Sequence, residues 1–536
     1  MDIKLKNRLG IVLYILAIGH IIYSFYLATS PTIWFDEIYS MLFAFRPAKE
    51  LIAFTARDVH PPLYYLILRG FLLVANNLWP SLESEFVAKA ASIVPYILIM
   101  IYAITYIRKK WGLFTSGLFI FSLCFMPEIM QKTVEIRMYS WALLFVTGLG
   151  IHFIEIIDNR NEKKSIKIIN AFAIFAYSVA AIYTHYFAAM AVFWMYVGAI
   201  LIIGSEYIKC RSKNLDLAHK ALKKVATVII VGVIAVICYI PWISVVASQV
   251  GTVKGEYWIS PLSIKAPYSS AMFLLRASFP ILAIGTMLAL ILIAILIYLL
   301  YKELCKGKNG DKNSMIVIYL FLVLPFVALT GYALSLAIRP IFIDRYLEPS
   351  IGIFWLAISI LLGRAVDNSS FQRFAAYLAL FALCINAIVD SYDFYSSEAE
   401  IRREGQKFNE MLSSINEDTV IVTNSDLMQS IVTYSLNTDR RVFGKGESYN
   451  QVADYKTYLY MSELKTLISE MVPGFFVIDD EELVECVKSG KKVLFMTYSD
   501  EREDVINALK ENLGIDVDFC GTYFYDHYSI DMMSLN

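Results

Sequence analysis

Asp36, Glu37, Asp58 and His60 fall within one stretch, WFDEIYSMLFAFRPAKELIAFTARDVHPPLYYLILR, residues 34–69, which follows directly on an apolar run. Asp36 and Glu37 stand among Trp34, Phe35 and Tyr39. That is the composition of a membrane–water interface, where rings anchor and ionisable groups need partners. Pro61 and Pro62 fix φ and bar a helix from continuing, so Asp58 and His60 are held on a stiff bend. Carboxylates and an imidazole preorganised in this way are what a site requires. Taken singly, an Asp-Glu pair after a helix is a solvated flank and His60 a turn histidine. Their combination in one loop, with polar residues at the outer ends of later helices, points to a site.

Three later segments supply those polar residues. EIRMYSWALLF opens an apolar span with Glu135 and Arg137 at its outer mouth. Two residues apart on a helix they point in different directions, so each can serve a different group, and a snorkelling arginine is the plain alternative. Thr184, His185 and Tyr186 form a tight outer hairpin between two spans. IRPIFIDRYLEPS forms another outer connection, in which Arg339, Asp344, Arg345 and Tyr346 lie close together. An arginine beside a tyrosine there can grip a phosphate through several donors.

The elements that must position these residues are membrane helices. Of 536 residues 58% are hydrophobic and 18% charged, a balance that places the chain among membrane proteins. Lys4, Lys6 and Arg8 precede an apolar run from about Leu9 to Ala28, long enough to span and longer than the core of a cleaved signal peptide. An uncleaved first helix is the reading, despite the processing-like Ala28-Thr29-Ser30. Ten further spans are centred at 87–107, 111–130, 136–157, 167–184, 186–205, 224–243, 270–301, 315–338, 347–363 and 374–390. Segments 1–8, 108–110, 158–167, 206–224, 302–313 and 364–373 hold 22 Lys/Arg in short connections, whereas the other connections hold 12 over longer loops. Basic loops stay cytoplasmic, so the N-terminus is expected inside and, after eleven helices, the C-terminal region outside. Between the first two spans, residues 37–56 carry helical periodicity, with Pro47 suited to a first turn; two short interfacial helices fit.

Residues 391–536 carry 13 Lys/Arg against 27 Asp/Glu, a net charge of −14, which argues against nucleic acid as a partner. Beyond a polar linker near 396–410, DTVIVTNS, GFFVIDD and KKVLFMTYS read as buried strands. SELKTLISEMV, EELVECVKSG and DEREDVINALKENL read as helices, together a small α/β domain. It has no Gly-rich phosphate loop of standard spacing, and its expected roles are a cover or an acceptor-recognition surface. The seven cysteines show no metal or redox spacing; only Cys486 and Cys520 stand where a pair is conceivable. The expected division is a membrane domain over 1–392, with a catalytic first outer loop at 29–86, and an extracytoplasmic α/β domain over 393–536.

Asp36-Glu37 after the first helix, DVHPPLYYLILR, EIRMYSWALLF, YTHYF and DRYLEP, in that order, resemble the GT-C membrane glycosyltransferases of the protein mannosyltransferase and aminoarabinose transferase type. The resemblance covers roughly residues 1–390; the tail matches in position and class alone. It implies a multi-pass α-helical enzyme that takes a sugar from a polyprenyl-phosphate carrier in the membrane lipid and passes it to an extracytoplasmic acceptor, with inversion. The first-loop carboxylate, Asp36 with Glu37 beside it, would be catalytic, Asp36 as general base. A single base with direct displacement inverts. Asp58, His60, Glu135, Arg137, His185, Tyr186, Arg345 and Tyr346 would face the donor and its phosphate, whose charge must be stabilised as it leaves. A general acid is not required, since the leaving group is already a phosphate; some relatives hold a divalent cation near the lipid phosphate, and by that resemblance Asp58, His60 and Glu135 are the candidate ligands here. A secondary transporter or lipid flippase is the alternative, but it places ionisable groups at mid-helix, where this chain is largely uncharged. A scaffold has no need of Asp36 and His60 in one stiff loop.

Overall fold

The structure, a computed structural model, describes residues 3–158, 164–253, 259–308, 311–416, 418–436, 457–460 and 475–536. After α1 (Ile3–Leu27) come the two short helices expected over 37–56, α2 (Phe35–Phe45) and α3 (Ala48–Arg57), parted where Arg46 and Pro47 leave helical geometry. Pro47 caps α3, a place where its missing N–H costs nothing. A bend at 58–62 leads into α4 (Leu63–Leu78), so most of the supposed outer connection is helical.

α5 (Ser84–Tyr102), a π turn at Ala103–Ile107 and α6 (Arg108–Phe125) run on as one apolar stretch. Gly112 breaks it, with φ at +89°, a conformation that glycine alone enters freely. The stretch is therefore two crossings with Arg108, Lys109 and Lys110 at the turn. A 3-10 turn at Met130–Thr133 precedes α7 (Tyr139–Asp158), so Glu135 and Arg137 lie on the segment before the helix, not in its first turn. α8 (Lys164–Ile182), α9 (Tyr186–Cys210) and α10 (Leu215–Val253) follow.

The single crossing expected at 270–301 is broken: α11 (Ala266–Leu275) ends before a non-helical stretch containing Arg276 and Pro280, and α12 (Leu282–Lys308) makes the crossing. Proline explains the break, since it removes an N–H and clashes with the preceding turn. α13 (Lys312–Ala337), α14 (Glu348–Ala365) and α15 (Ser370–Ser413) complete the helices of the bundle. α15 runs straight through 396–410, so the expected linker is helix. Charged pairs at helical spacing carry it, Glu404–Lys407 at 2.9 Å and Glu400–Arg403 at 3.8 Å. Among the described residues nine stretches are long and apolar enough to cross a membrane, one of them being the two crossings of Ser84–Phe125. The protein is a multi-pass membrane protein.

By packing, the chain forms two compact units: Met1–Phe25, Val59–Tyr64 and Ala90–Phe394; and Tyr26–Asp58, Tyr65–Lys89 and Tyr395–Asn536. In the first, α14 is the axis, buried along nearly its whole length and packed on α6, α7 and α13. Small residues let helices approach without a hydrophobic drive: a Cβ on Gly117 would lie 2.5 Å from the Gly10 carbonyl oxygen.

The second unit holds a six-stranded sheet: β1 (Val420–Thr423), β2 (Thr457–Tyr460), β3 (Phe475–Ile478), β4 (Val493–Tyr498), β5 (Val517–Tyr525) and β6 (Tyr528–Leu535). The order is β3-β2-β1-β4-β6-β5, with the first four parallel and β5–β6 an antiparallel hairpin. α16 (Asp426–Leu436), α17 (Asp480–Lys488) and α18 (Arg502–Leu513) accompany it. Val422, Phe495, Leu483, Leu509 and Met533 form its core. Parallel strands covered on both faces read as continuous apolar runs, which is why β1 and β4 were legible; β3 was legible from its own apolar run, although Phe476 and Val477 are exposed. β2, β5, β6 and α16 were not, and SELKTLISEMV lies outside the described residues. All seven cysteines are unpaired.

Candidate functional site

The expected site residues divide between the two units. In the second, Asp36 and Glu37 occupy the first turn of α2, where the helix dipole favours carboxylates. The two do different work. Glu37 is buried and its Oε2 accepts the Trp34 amide at 3.0 Å, capping one of the open N–H groups at the start of the helix. Asp36 is half-buried, and its backbone carbonyl accepts the Ser40 hydroxyl at 3.0 Å.

The segment leading into α2 is pinned by residues remote in sequence. Lys89, buried, donates to the carbonyls of Ser30 (2.9 Å) and Thr32 (2.6 Å). Tyr525, at the end of β5, donates its hydroxyl to the Ile33 carbonyl at 3.0 Å and accepts the Ile33 amide at 3.2 Å. Arg402 on α15 donates to the Thr29 hydroxyl at 2.9 Å. α16 packs on α2, and its Tyr434 hydroxyl donates to Glu85 at 2.7 Å. The C-terminal region is thus the scaffold that sets the position of Asp36. Asp58 caps α3, its amide bonded to the Phe54 carbonyl.

In the first unit, the end of the bundle where α7, α9 and α14 begin gathers most of the remaining candidates. His185 caps α9, its Nδ1 accepting the Phe187 amide at 3.1 Å. Its buried ring lies 6.0 Å from that of His60, 5.6 Å from Tyr139 and 5.3 Å from Tyr346. Next to His60, the Leu63 amide bonds the Tyr183 carbonyl at 3.0 Å and so fixes the His-Pro-Pro bend against the α8–α9 hairpin. Burial drives the His185 pKa well below the usual histidine value, and His60, Arg137 and Arg345 push it the same way. His185 is a neutral imidazole at physiological pH, in surroundings that already hold two guanidinium groups.

Lys132, Tyr139 and Glu348 belong to this cluster and were not singled out from the sequence. Buried Lys132 forms an ion pair with Glu135 at 2.8 Å, lies 3.6 Å from Glu348 and rests 5.5 Å from the centre of the Tyr139 ring. Burial opposes its charge, but Glu135 and Glu348 outweigh it and hold the ammonium above the usual lysine range. Among the described residues, the Tyr139 hydroxyl and both Glu348 carboxylate oxygens lack a hydrogen-bond partner. A buried polar atom left open costs about 1–3 kcal/mol, which a polar ligand can recover. A lysine three residues before Glu135, and a glutamate inside DRYLEP, were the available signals.

Other candidates are engaged elsewhere. The Tyr186 hydroxyl donates to Gln249 and accepts the Trp242 indole N–H at 3.3 Å, which ties it to α10. Asp344 accepts the hydroxyls of Ser269, at 2.7 Å, and Ser270, which ties the start of α14 to α11. Among the described residues no three His, Cys, Asp or Glu side chains converge as a metal set, Asp58, His60 and Glu135 included.

No family model and no curated protein matches this sequence. Solved structures do match its fold. The crystal structure of ArnT from Cupriavidus metallidurans bound to undecaprenyl phosphate is 11% identical, with a TM-score of 0.55 over 97% of this chain and 97% of that one. The same protein in its apo state is 12% identical, with a TM-score of 0.53 and the same coverage of both chains. The chain has the GT-C fold.

Proposed function

We propose that this protein transfers a sugar from a polyprenyl-phosphate carrier to an acceptor outside the membrane, inverting the anomeric centre. The observation that supports this best is the cluster where α7, α9 and α14 begin. There a buried neutral histidine, two arginines and a paired lysine surround open polar atoms, on a fold whose solved relative holds undecaprenyl phosphate. Cations serve the departing phosphate, and the open hydroxyl and carboxylate suit a sugar. Asp36 is the general base that takes the proton of the attacking hydroxyl.

The reading is tested by supplying lipid-linked sugar to the purified protein and following polyprenyl phosphate release together with the anomeric configuration of the product. Inverted product supports it. Movement of intact donor across a vesicle, with none consumed, supports a flippase instead.

Arg137→Lys and Arg345→Lys separate phosphate contacts from helix anchors, because lysine keeps the charge and loses the planar fork. Each is expected to express normally and to lose roughly tenfold in donor use, the scale of one charge-assisted hydrogen bond. Wild-type donor consumption by both variants would leave the arginines as anchors.

The orientation read from the basic connections places the acidic region outside. Cys520 on β5 is exposed, so a membrane-impermeant maleimide is expected to label it in intact cells, and Cys520→Ser to lose that signal. Labelling only after lysis reverses the topology.

A further inference from the structure

A groove of about 520 Å³ runs between α9, α12 and α13 and is lined by none of the residues given a role above. Its walls are apolar, with Trp194, Leu201, Ile318 and Leu322 among them, and it ends at Lys209 and Lys308. Trp194 is fixed: its indole N–H donates to Thr330 at 2.9 Å and its ring stacks on Phe326 at 4.7 Å. Leu201, Leu304 and Leu322 on its rim are exposed, so the groove opens to the membrane. From Trp194 to Lys209 the helix rises about 22 Å, which exceeds the roughly 15 Å hydrocarbon depth of one leaflet. A chain lying in the groove would reach the lysines at its polar end.

Charge decides what that polar end takes. The acidic groups nearby already have cations: Glu206 pairs with Lys312 (2.8 Å), Glu303 with Lys306 (2.8 Å) and Arg364 (2.6 Å), and Asp311 with Arg364 (3.0 Å). Lys209 and Lys308 are exposed and have no acidic partner among the described residues. We infer that this groove is a binding site for an anionic phospholipid, one acyl chain along α9 and α13 and the head-group phosphate between Lys209 and Lys308. Basic pockets between membrane helices take such head groups, and the basic connections put this end in the cytoplasmic leaflet.

The test uses the full chain in phosphatidylcholine vesicles with increasing phosphatidylglycerol, either lipid brominated on its acyl chains. Trp194 emission is taken as the difference between wild type and Trp194→Phe. Half-maximal quenching is expected at about a tenfold lower fraction of brominated phosphatidylglycerol than of brominated phosphatidylcholine. The double variant Lys209→Gln/Lys308→Gln is expected to erase that preference and leave quenching by phosphatidylcholine unchanged. Equal quenching by both lipids, or a preference that survives in the double variant, overturns the proposal. So does displacement by polyprenyl phosphate with no effect of phosphatidylglycerol, which would assign the groove to the donor. If Trp194→Phe does not fold, native mass spectrometry of retained phosphatidylglycerol in wild type and double variant decides on the same criterion.

Discussion

Asp36→Asn is expected to lower turnover by about a hundredfold or more while leaving donor binding intact, a rise of roughly 2.7 kcal/mol in the barrier. The amide has the size of the carboxylate but cannot take a proton. The Ser40 hydroxyl bonds the Asp36 backbone carbonyl, a contact that asparagine keeps. Losing one charge from the first turn of α2 costs only about 0.3–1 kcal/mol. Glu37 supplies the control. Its Oε2 holds the Trp34 amide, and Gln keeps an acceptor oxygen there, so Glu37→Gln is expected within a few-fold of wild type, whereas Glu37→Ala loses the cap at about 1 kcal/mol. The measurement is polyprenyl phosphate release beside a binding isotherm for the donor. Turnover of Asp36→Asn within a few-fold of wild type would remove Asp36 from the chemistry, and loss of activity in Glu37→Gln alone would move the base to Glu37.

The largest expected effect on stability is at Lys132. Lys132→Met takes the cation from Glu135, 2.8 Å away, and leaves that buried carboxylate without the lysine it pairs with. Removing one member of a buried pair costs roughly 3–5 kcal/mol, far more than the pair itself is worth against a neutral isostere. The double variant Lys132→Met/Glu135→Gln is therefore expected to recover most of the loss. Thermal unfolding in detergent reads both. A Lys132→Met midpoint indistinguishable from wild type, or a double variant no better than the single, would mean that water or lipid head groups solvate this cluster and that the lysine carries no structural charge.

The sequence by itself determined the features governed by short-range rules. Apolar run length marks crossings, because a bilayer demands about 20 apolar residues whatever follows, and ten of the eleven expected spans fall on continuous helical stretches, the one at 270–301 being split between α11 and α12. β1, β3 and β4 were readable as unbroken apolar runs, and the bend at His60 followed from two prolines. The GT-C fold was legible from DVHPPLYYLILR, EIRMYSWALLF and DRYLEP in their order. Only the tertiary structure decided what each ionisable group does, because each answer depends on a partner far along the chain. Glu37 is spent on a cap, its Oε2 held by the Trp34 amide. Lys132 pairs with Glu135 and reaches Glu348, more than 200 positions away in the chain, and its charge survives burial only through them. His185 is neutral because burial and His60, Arg137 and Arg345 act on it together. The segment before α2 is held by Tyr525, 492 residues distant, so a tail that composition describes as an acidic α/β domain positions Asp36 through two hydrogen bonds to one residue. Periodicity carries no record of such contacts, since a hydrogen bond or ion pair is specified by geometry at its two ends and the intervening chain leaves no mark on either.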